Sequence, residues 1–274
     1  MVPVAQKNGQ INWTEVLKKT LSTVRSGREL LLSYYGHLNH VESKLHAGLV
    51  SEADRESEKL IKTGLSLIDS SWEFLGEEES FLTGDKNLKP GSKPRWILDP
   101  LDGTTNYIHQ FPIFCISLAL EWEGQLQLAV IDCPMTNETF TAIRGQGAFR
   151  NGKKIKTSQT QQLQDSLLAT GFFPDNQEAL LDQLKVFSEL IKKTRGIRRA
   201  GAAAYDLCMV AQGSFDGFWE PNLKPWDVAA GQLLVEEAGG KVVNRSGVKH
   251  SPYDQYIIAT NQYLSPSLLK IINP

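Results

Sequence analysis

Cysteine is scarce in this sequence, and long apolar runs are absent. The three cysteines, Cys115, Cys133 and Cys208, lie far apart and form no C-x-x-C pair, so neither a disulfide framework nor a cysteine zinc site is predicted. No window approaches the roughly 18 apolar residues of a membrane-spanning helix, and residues 1–10 lack the apolar stretch of a secretory signal. We therefore expect three buried, reduced thiols in a cytoplasmic protein without a membrane partner.

An excess of charge of one sign is also absent. The 29 Lys and Arg residues nearly balance the 31 Asp and Glu residues, which gives a formal net charge of -2. This balance argues against a protein that binds nucleic acid through a strongly basic surface. The five histidines show no H-E-x-x-H spacing, so a histidine zinc site is not predicted either.

The chain changes character part-way along its 274 residues. Apolar residues at helical spacing predict helices over residues 13–35 and 52–68. Strand-like runs follow, at 96–98, 114–122, 126–133 and 138–144. After about residue 158, strands and helices alternate, which is typical of an α/β arrangement. We therefore predict an N-terminal α+β half, residues 1–157, and a C-terminal α/β half, residues 158–274.

Five carboxylates occupy positions where predicted strands end or helices begin. Asp99 and Asp102 flank a strand end, and Asp227 opens a helix. Glu77 follows a glycine, and Asp54 lies near the start of the second helix. Carboxylates that cluster repel one another and are costly to bury, and a hard divalent cation with oxygen ligands relieves that cost. The residues therefore predict a Mg²⁺ site.

Three short motifs carry a resemblance to a known family. They are Gly76-Glu77-Glu78, Asp99-Pro100-Leu101-Asp102-Gly103-Thr104-Thr105-Asn106 and Trp226-Asp227-Val228-Ala229-Ala230-Gly231. In this order and spacing, over nearly the whole chain, they resemble the inositol monophosphatase family of the lithium-sensitive, metal-dependent sugar phosphatases. The resemblance implies a layered αβαβα sandwich of the inositol monophosphatase and fructose-1,6-bisphosphatase type, inhibition by lithium, and a homodimer.

The resemblance also implies the roles of individual residues in phosphate ester hydrolysis. Two to three Mg²⁺ ions per active site would be held by Glu77, Asp99, the Leu101 carbonyl, Asp102 and Asp227. The catalytic residues that orient the attacking water would be Glu77, Thr104 and Asp54. The phosphate would be bound by Asp102 and by the backbone N–H groups of Gly103 and Thr104, at a predicted helix start.

Residues of the C-terminal half would contact the alcohol part of the substrate, which leaves on hydrolysis. The positions that the resemblance assigns to it are Gly201, Ala203 and Glu220. They favour a small sugar or polyol phosphate, with myo-inositol 1-phosphate first. Lys44 lies near the position of a family lysine that faces the site, but its spacing to Asp54 is one residue shorter than in the family.

Other functions remain open from the sequence. Histidinol phosphate is one alternative substrate, and fructose 1,6-bisphosphate is another, which would need a basic pocket for its second phosphate. The candidates for that pocket are Arg195, Arg198, Arg199 and Lys224. A regulatory or RNA-associated binding protein on the same scaffold would be expected to lack one of the metal carboxylates, and all are present. We therefore expect an enzyme without a nucleic-acid partner.

Overall fold

Two β-sheets alternate with three layers of helices. The computed structural model describes residues 11–44, 48–84, 89–172 and 177–273. The helices in these ranges are α1 (Trp13–Tyr34), α2 (Glu52–Ser66), α3 (Glu77–Thr83), α4 (Thr104–Ile108), α5 (Gln177–Ile191), α6 (Ala203–Ala211), α7 (Pro225–Glu237) and α8 (Ser265–Ile272). The strands are β1 (Val41–Lys44), β2 (Gly48–Ser51), β3 (Glu73–Gly76), β4 (Arg95–Asp102), β5 (Cys115–Trp122), β6 (Gln125–Cys133), β7 (Glu138–Ile143), β8 (Gly147–Arg150), β9 (Lys153–Lys154), β10 (Leu167–Thr170), β11 (Gly196–Arg198), β12 (Gly217–Pro221), β13 (Lys241–Val243) and β14 (Tyr256–Thr260).

The N-terminal sheet has the strand order β3-β4-β5-β6-β7-β8-β9. Strands β3 and β4 are parallel, and the remaining neighbours are antiparallel. Successive side chains of a strand point to opposite faces of its sheet. Trp96 and Leu98 of β4 accordingly join the apolar cluster of α1 and α2, whereas Ile97 joins the cluster of α6 and α7. Helices therefore cover both faces of this sheet at β4.

The C-terminal sheet has the strand order β11-β10-β12-β14-β13. Strands β11, β10 and β12 run parallel, and β14 is antiparallel to both of its neighbours. Phe218 of β12 packs in the cluster of α6 and α7, while the adjacent Trp219 packs towards α5 and α8. The layers follow one another as α1 and α2, sheet, α6 and α7, sheet, α5 and α8. The predicted αβαβα sandwich is confirmed.

The longer elements agree with the sequence predictions, and several short ones were missed. The helices predicted over 13–35 and 52–68 are observed as α1 and α2, and the strand predicted at 96–98 continues to Asp102. The β1–β2 hairpin, β3 and α3 were not predicted. Each of these elements spans only four to seven residues, so it contributes little periodicity to the sequence.

The predicted boundary after residue 157 lies between β9 and β10, the strands that end one sheet and begin the other. Helix α7 contacts β4, β5 and β6 of the first sheet as well as β13 and β14 of the second. Because one helical layer packs on both sheets, the division into two separate halves stays a prediction. None of the helices in the described ranges is both long and apolar enough to cross a bilayer.

Candidate active site

Strand β4 brings two buried aspartates to its C-terminal end. Asp99 and Asp102 are 3% and 8% exposed, and the pairing of β4 with β5 shifts register between them. The N–H of Leu101 donates to Asp99 Oδ1 at 2.9 Å. A turn follows at Gly103, whose φ of +93° is unfavourable for residues with a side chain. The apolar strand thus delivers both carboxylates to one buried turn.

Helix α6 meets this turn at Asp102. The N–H groups of Ala203 and Ala204 donate to the two Asp102 carboxylate oxygens at 3.2 and 2.7 Å. The Cys115 thiol lies 3.6 Å from Asp102 Oδ2. All three cysteines are buried free thiols, as predicted. Asp102 therefore satisfies the N-terminal donors of a helix from the other half of the chain.

Asp227 reaches the same region from α7. Its Oδ2 accepts the Lys224 N–H at 2.7 Å, an arrangement that closes the first turn of the helix. The Ser117 hydroxyl of β5 donates to the Trp226 carbonyl at 2.9 Å and ties this turn to the N-terminal sheet. Asp227 is therefore held by contacts within α7 and across the layer.

Glu77 is the first residue of α3, directly after β3. The buried carboxylate of Glu58, on α2, accepts the N–H groups of Glu78 and Glu79 at 2.9 and 2.8 Å. Glu58 thus caps the helix that Glu77 opens and fixes the direction in which Glu77 leaves β3. The sequence analysis did not identify Glu58. Its only signal is its place one turn after Asp54 on the same helix.

The three buried aspartates perturb one another. Burial raises the pKa of Asp99 well above its usual range, and Glu77, Asp102 and Asp227 raise it further. Burial is also the main cause that raises the pKa of Asp227, with Glu77 next, and it raises the pKa of Asp102 to about 6. The opposing contributions come from N–H and thiol donors. Among the side chains that the structure describes, no cation is a main cause of these shifts, so the carboxyl groups of the cluster have no charge partner there.

The donor chemistry of this cluster fits a hard divalent cation, because its ligating atoms are carboxylate and carbonyl oxygens. Within the described ranges, however, no three Asp, Glu, His or Cys side chains converge closely enough to enclose a metal ion. Backbone N–H groups hold the aspartates instead. A bound ion would replace these contacts in part and offset the charge.

Thr104 and Asp54 form a pair beside the aspartate turn. Thr104 Oγ1 lies 2.9 Å from Asp54 Oδ1 and 3.1 Å from the Leu101 carbonyl oxygen. The N–H and hydroxyl of Ser51 donate to Asp54 Oδ2 at 2.8 and 2.5 Å. Burial raises the pKa of Asp54, partly offset by these hydrogen bonds. The structure thus brings together two residues that are 50 positions apart.

A cavity of about 160 Å³ extends from the aspartates towards the C-terminal half. The predicted substrate residues Gly201, Ala203 and Glu220 all line it, together with Asp102 and Asp227. Lys44 ends β1, and its side chain lies outside the described residues. The sequence therefore selected residues of one cavity from segments more than 100 positions apart.

The predicted basic pocket does not form in this cavity. Arg199 lines it, whereas Arg195 pairs with Asp165 at 2.9 Å on the surface. Arg198 is exposed and donates to the Ile197 carbonyl, and Lys224 is exposed. The four residues do not converge because Lys224 caps α7 in a separate segment and Arg195 is held by Asp165, while only Arg198 belongs to β11.

Comparison with known proteins decides the family. The inositol monophosphatase family model matches residues 12–273. A Nus factor SuhB of Pseudomonas aeruginosa is 41% identical, covering 94% of this chain and 96% of the relative. An inositol-1-monophosphatase of Rhizobium meliloti is 37% identical, covering 90% of this chain and 92% of the relative.

The chain belongs to the inositol monophosphatase family.

Solved structures agree with this family assignment. The extragenic suppressor protein suhB from Bartonella henselae superposes with a TM-score of 0.87 at 37% identity, covering 94% of this chain and 98% of that one. An IMPase/NADP phosphatase complexed with Mg²⁺ and phosphate gives a TM-score of 0.82 at 26% identity, covering 95% of each chain. The predicted enzyme class, an inositol-1-monophosphatase-like phosphoric monoester hydrolase, is confirmed.

Gly171 is a further residue of this family member's cavity that the sequence analysis missed. A Cβ atom at Gly171 would lie 2.2 Å from both carboxylate oxygens of Glu220, so only glycine allows Glu220 its position. The Gly171 N–H also hydrogen-bonds to Glu220, and the Gly171 carbonyl accepts the Gln183 side chain at 2.9 Å. No local pattern marks Gly171, because its partner is 49 positions away.

Glu220 gives this family member a testable pH dependence. Burial raises the pKa of Glu220 to about 8. The folded protein therefore keeps a proton that the unfolded chain has lost, so stability falls as the pH rises towards that value. Relative to the Glu220→Gln variant, the free energy of unfolding should fall by about 1 kcal/mol between about pH 6.5 and 8.

Urea unfolding with a metal chelator measures this difference. Comparing wild type with Glu220→Gln at both pH values cancels the groups that the two proteins share. Parallel pH profiles for the two proteins would show that Glu220 titrates normally.

Proposed function

We propose that this chain is a Mg²⁺-dependent phosphomonoesterase that hydrolyses a small sugar or polyol phosphate, with myo-inositol 1-phosphate as the preferred substrate. The observation that carries this proposal is the buried cluster of Asp99, Asp102 and Asp227 beside the N-terminus of α4, which no cationic side chain offsets within the described ranges. The relative named inositol-1-monophosphatase and the related structure with Mg²⁺ and phosphate support it.

The residues divide between metal and phosphate binding. The side chains of Glu77, Asp99, Asp102 and Asp227 and the Leu101 carbonyl would hold two Mg²⁺ ions, with Glu77 contributing to a third. Bound Mg²⁺ would supply positive charge for the phosphate and leaving oxygen and would lower the pKa of a bound water. Asp102 and the N–H groups of Gly103 and Thr104 would bind the phosphate at the start of α4.

The Asp54–Thr104 pair would orient the attacking water and accept its proton. The carboxylate of Asp54 is held by Ser51 and faces Thr104 Oγ1 at 2.9 Å. A proton from the water can pass to Thr104 Oγ1 while the threonine proton passes to Asp54. Glu77, at the start of α3, would help to fix the same water. No covalent phosphoenzyme is required.

On the alcohol side, Glu220 would accept hydrogen bonds from ring hydroxyls, with Gly201 and Ala203 allowing close approach. Histidinol phosphate remains an alternative substrate. Fructose 1,6-bisphosphate is disfavoured because only Arg199 of the four candidate basic residues lines the cavity. Inhibition by lithium, a homodimer and a cytoplasmic location belong to the same proposal.

Phosphate release from a panel of esters tests the proposal. The panel contains myo-inositol 1-phosphate, glycerol 2-phosphate, histidinol phosphate and fructose 1,6-bisphosphate, each with Mg²⁺ and with a chelator. We expect the highest kcat/KM for myo-inositol 1-phosphate and no turnover with the chelator. Absence of phosphate release from every ester at saturating Mg²⁺ would contradict the proposed function.

A second candidate role is favoured by the relative that is named a Nus factor. It would be a non-catalytic, RNA-associated binding role, and the surface charge of this chain disfavours it. The basic stretch near the end of α5 is partly neutralised, since Lys192 and Lys193 both pair with Glu189. A gel-shift assay with RNA at physiological salt tests it, and we expect no shift.

A further inference from the structure

Asp206 is a buried carboxyl group in the cavity that the mechanism leaves unused. It lies on α6, three residues after Ala203, so the two side chains lie on neighbouring turns of one helix face. Asp206 is 2% exposed and lines the same cavity as Ala203 and Glu220. The sequence analysis did not select it, because one aspartate inside an otherwise apolar helix carries no motif.

One oxygen of the Asp206 carboxyl group, Oδ1, is buried and has no hydrogen-bond partner in the part of the chain that the structure describes. Leaving a buried acceptor unpaired is costly, and such groups in native proteins call for an explanation, such as a ligand that the site binds. The neighbouring residues of α6 are apolar and would pack without this cost. A donor on a bound molecule would satisfy the carboxyl group.

The charges around the cavity indicate which class of molecule would donate to Asp206. The carboxyl groups of Asp206 and Glu220 line the cavity together with Asp102 and Asp227, and burial raises the pKa of both. Arg199 is the cationic side chain that lines the cavity, and it is exposed to solvent. A second phosphate there would bring a dianion into a site with more carboxyl groups than cations. A leaving group with hydroxyl donors would instead pair with both carboxyl groups.

We propose that Asp206 determines substrate specificity, by selecting a leaving group with hydrogen-bond donors and rejecting one that carries a second phosphate. This inference rests on the proposed phosphatase function. Glu220, held against Gly171, and Asp206, on α6, together form the carboxyl-lined wall of the cavity. Arg199 lowers the pKa of both, but burial outweighs its effect.

The Asp206→Asn variant tests the inference, because asparagine has nearly the same shape and its amide can donate to an anion. The experiment compares kcat/KM for myo-inositol 1-phosphate, fructose 1,6-bisphosphate and p-nitrophenyl phosphate. The p-nitrophenyl leaving group carries no ring hydroxyl that could donate a hydrogen bond to Asp206. The variant should lose roughly tenfold to a hundredfold on myo-inositol 1-phosphate. Its preference over the bisphosphate should fall, while p-nitrophenyl phosphate hydrolysis stays within about twofold.

Asp165→Asn is the matched control, since Asp165 forms a surface pair with Arg195 away from the cavity. It should leave all three rates unchanged. Thermal unfolding of Asp206→Asn should match or exceed wild type, because the substitution removes a buried acid.

Two results would overturn the inference. One is an unchanged preference between the two sugar substrates. The other is an equal loss on all three esters, which would mark Asp206 as structural. If wild type hydrolyses none of them, the proposed function fails separately. In that case, the inference is tested by the increase in unfolding temperature that myo-inositol, phosphate and Mg²⁺ together cause. Loss of this increase in Asp206→Asn supports the inference, and an equal increase in wild type and variant overturns it.

Discussion

The Asp99→Asn variant is expected to abolish turnover at saturating Mg²⁺ while the fold stays intact. Asp99 is 3% exposed, and Glu77, Asp102 and Asp227 all raise its pKa, so its carboxylate interacts with every other acid of the cluster. Asparagine keeps an oxygen that can accept the Leu101 N–H, but it removes the negative charge that a cation requires. Since residues that merely support metal ligands cost about 10- to 100-fold when replaced, the loss here should exceed about 100-fold.

The stability of Asp99→Asn separates its catalytic from its structural role. Burial and neighbouring acids raise the Asp99 pKa, which means that the ionised cluster destabilises the metal-free fold. The variant should therefore unfold at the same temperature as metal-free wild type or above it. Added Mg²⁺ should raise the unfolding temperature of wild type more than that of the variant.

Thermal unfolding with and without Mg²⁺, together with phosphate release, measures both effects. Asp182→Asn is the control. Asp182 lies on α5, outside the site, and pairs with Arg245. It should retain wild-type turnover. Retained turnover in Asp99→Asn would show that Asp99 is not a required metal ligand.

The Thr104→Val variant is expected to lower kcat by about 10²- to 10⁴-fold, the usual contribution of a positioned proton-transfer group. Valine keeps the branched shape of threonine and so preserves the first turn of α4. It removes the hydroxyl that lies 2.9 Å from Asp54 and 3.1 Å from the Leu101 carbonyl. The effect should appear in kcat rather than in KM, because the hydroxyl acts on the water rather than on the bound ester.

The adjacent Thr105 provides a matched control. Thr105 lies on the same turn of α4 but is exposed. Thr105→Val should leave kcat within about twofold of wild type, since surface substitutions of this kind have small effects. An equal loss in both variants would indicate that valine disrupts α4.

Combining Thr104→Val with Asp54→Asn tests whether the two residues act as a unit. If they do, the double variant should lose little more than the more severe single variant. Additive losses would show that the two residues act independently and that Asp54 takes no part in the proton transfer. Steady-state kinetics of wild type, the two single variants and the double variant on one ester are sufficient for this comparison.

Local patterns predicted the long helices and the acidic positions, whereas the layered sandwich was implied by the resemblance of three motifs to a family. The periodicity of residues 13–35 gave α1, and the apolar run at 96–98 placed Asp99 at a strand end. Short elements such as β3 and α3 escaped because four to seven residues hold too few repeats of either period. The candidate basic pocket did not form because Arg195 pairs with Asp165, and Arg198 and Lys224 do not line the cavity that Arg199 lines.

The sequence by itself determined that Asp99, Asp102, Gly103 and Thr104 share one turn, since they are neighbours whose order fixes it, and it proposed them for metal and phosphate binding. Only the tertiary structure decided what surrounds them. Glu58 was brought to the start of α3, Gly171 to Glu220, and Asp206 to the cavity wall by packing between layers. A motif fixes chemistry along the chain, whereas a cavity is enclosed by segments that meet only when their apolar faces are buried together.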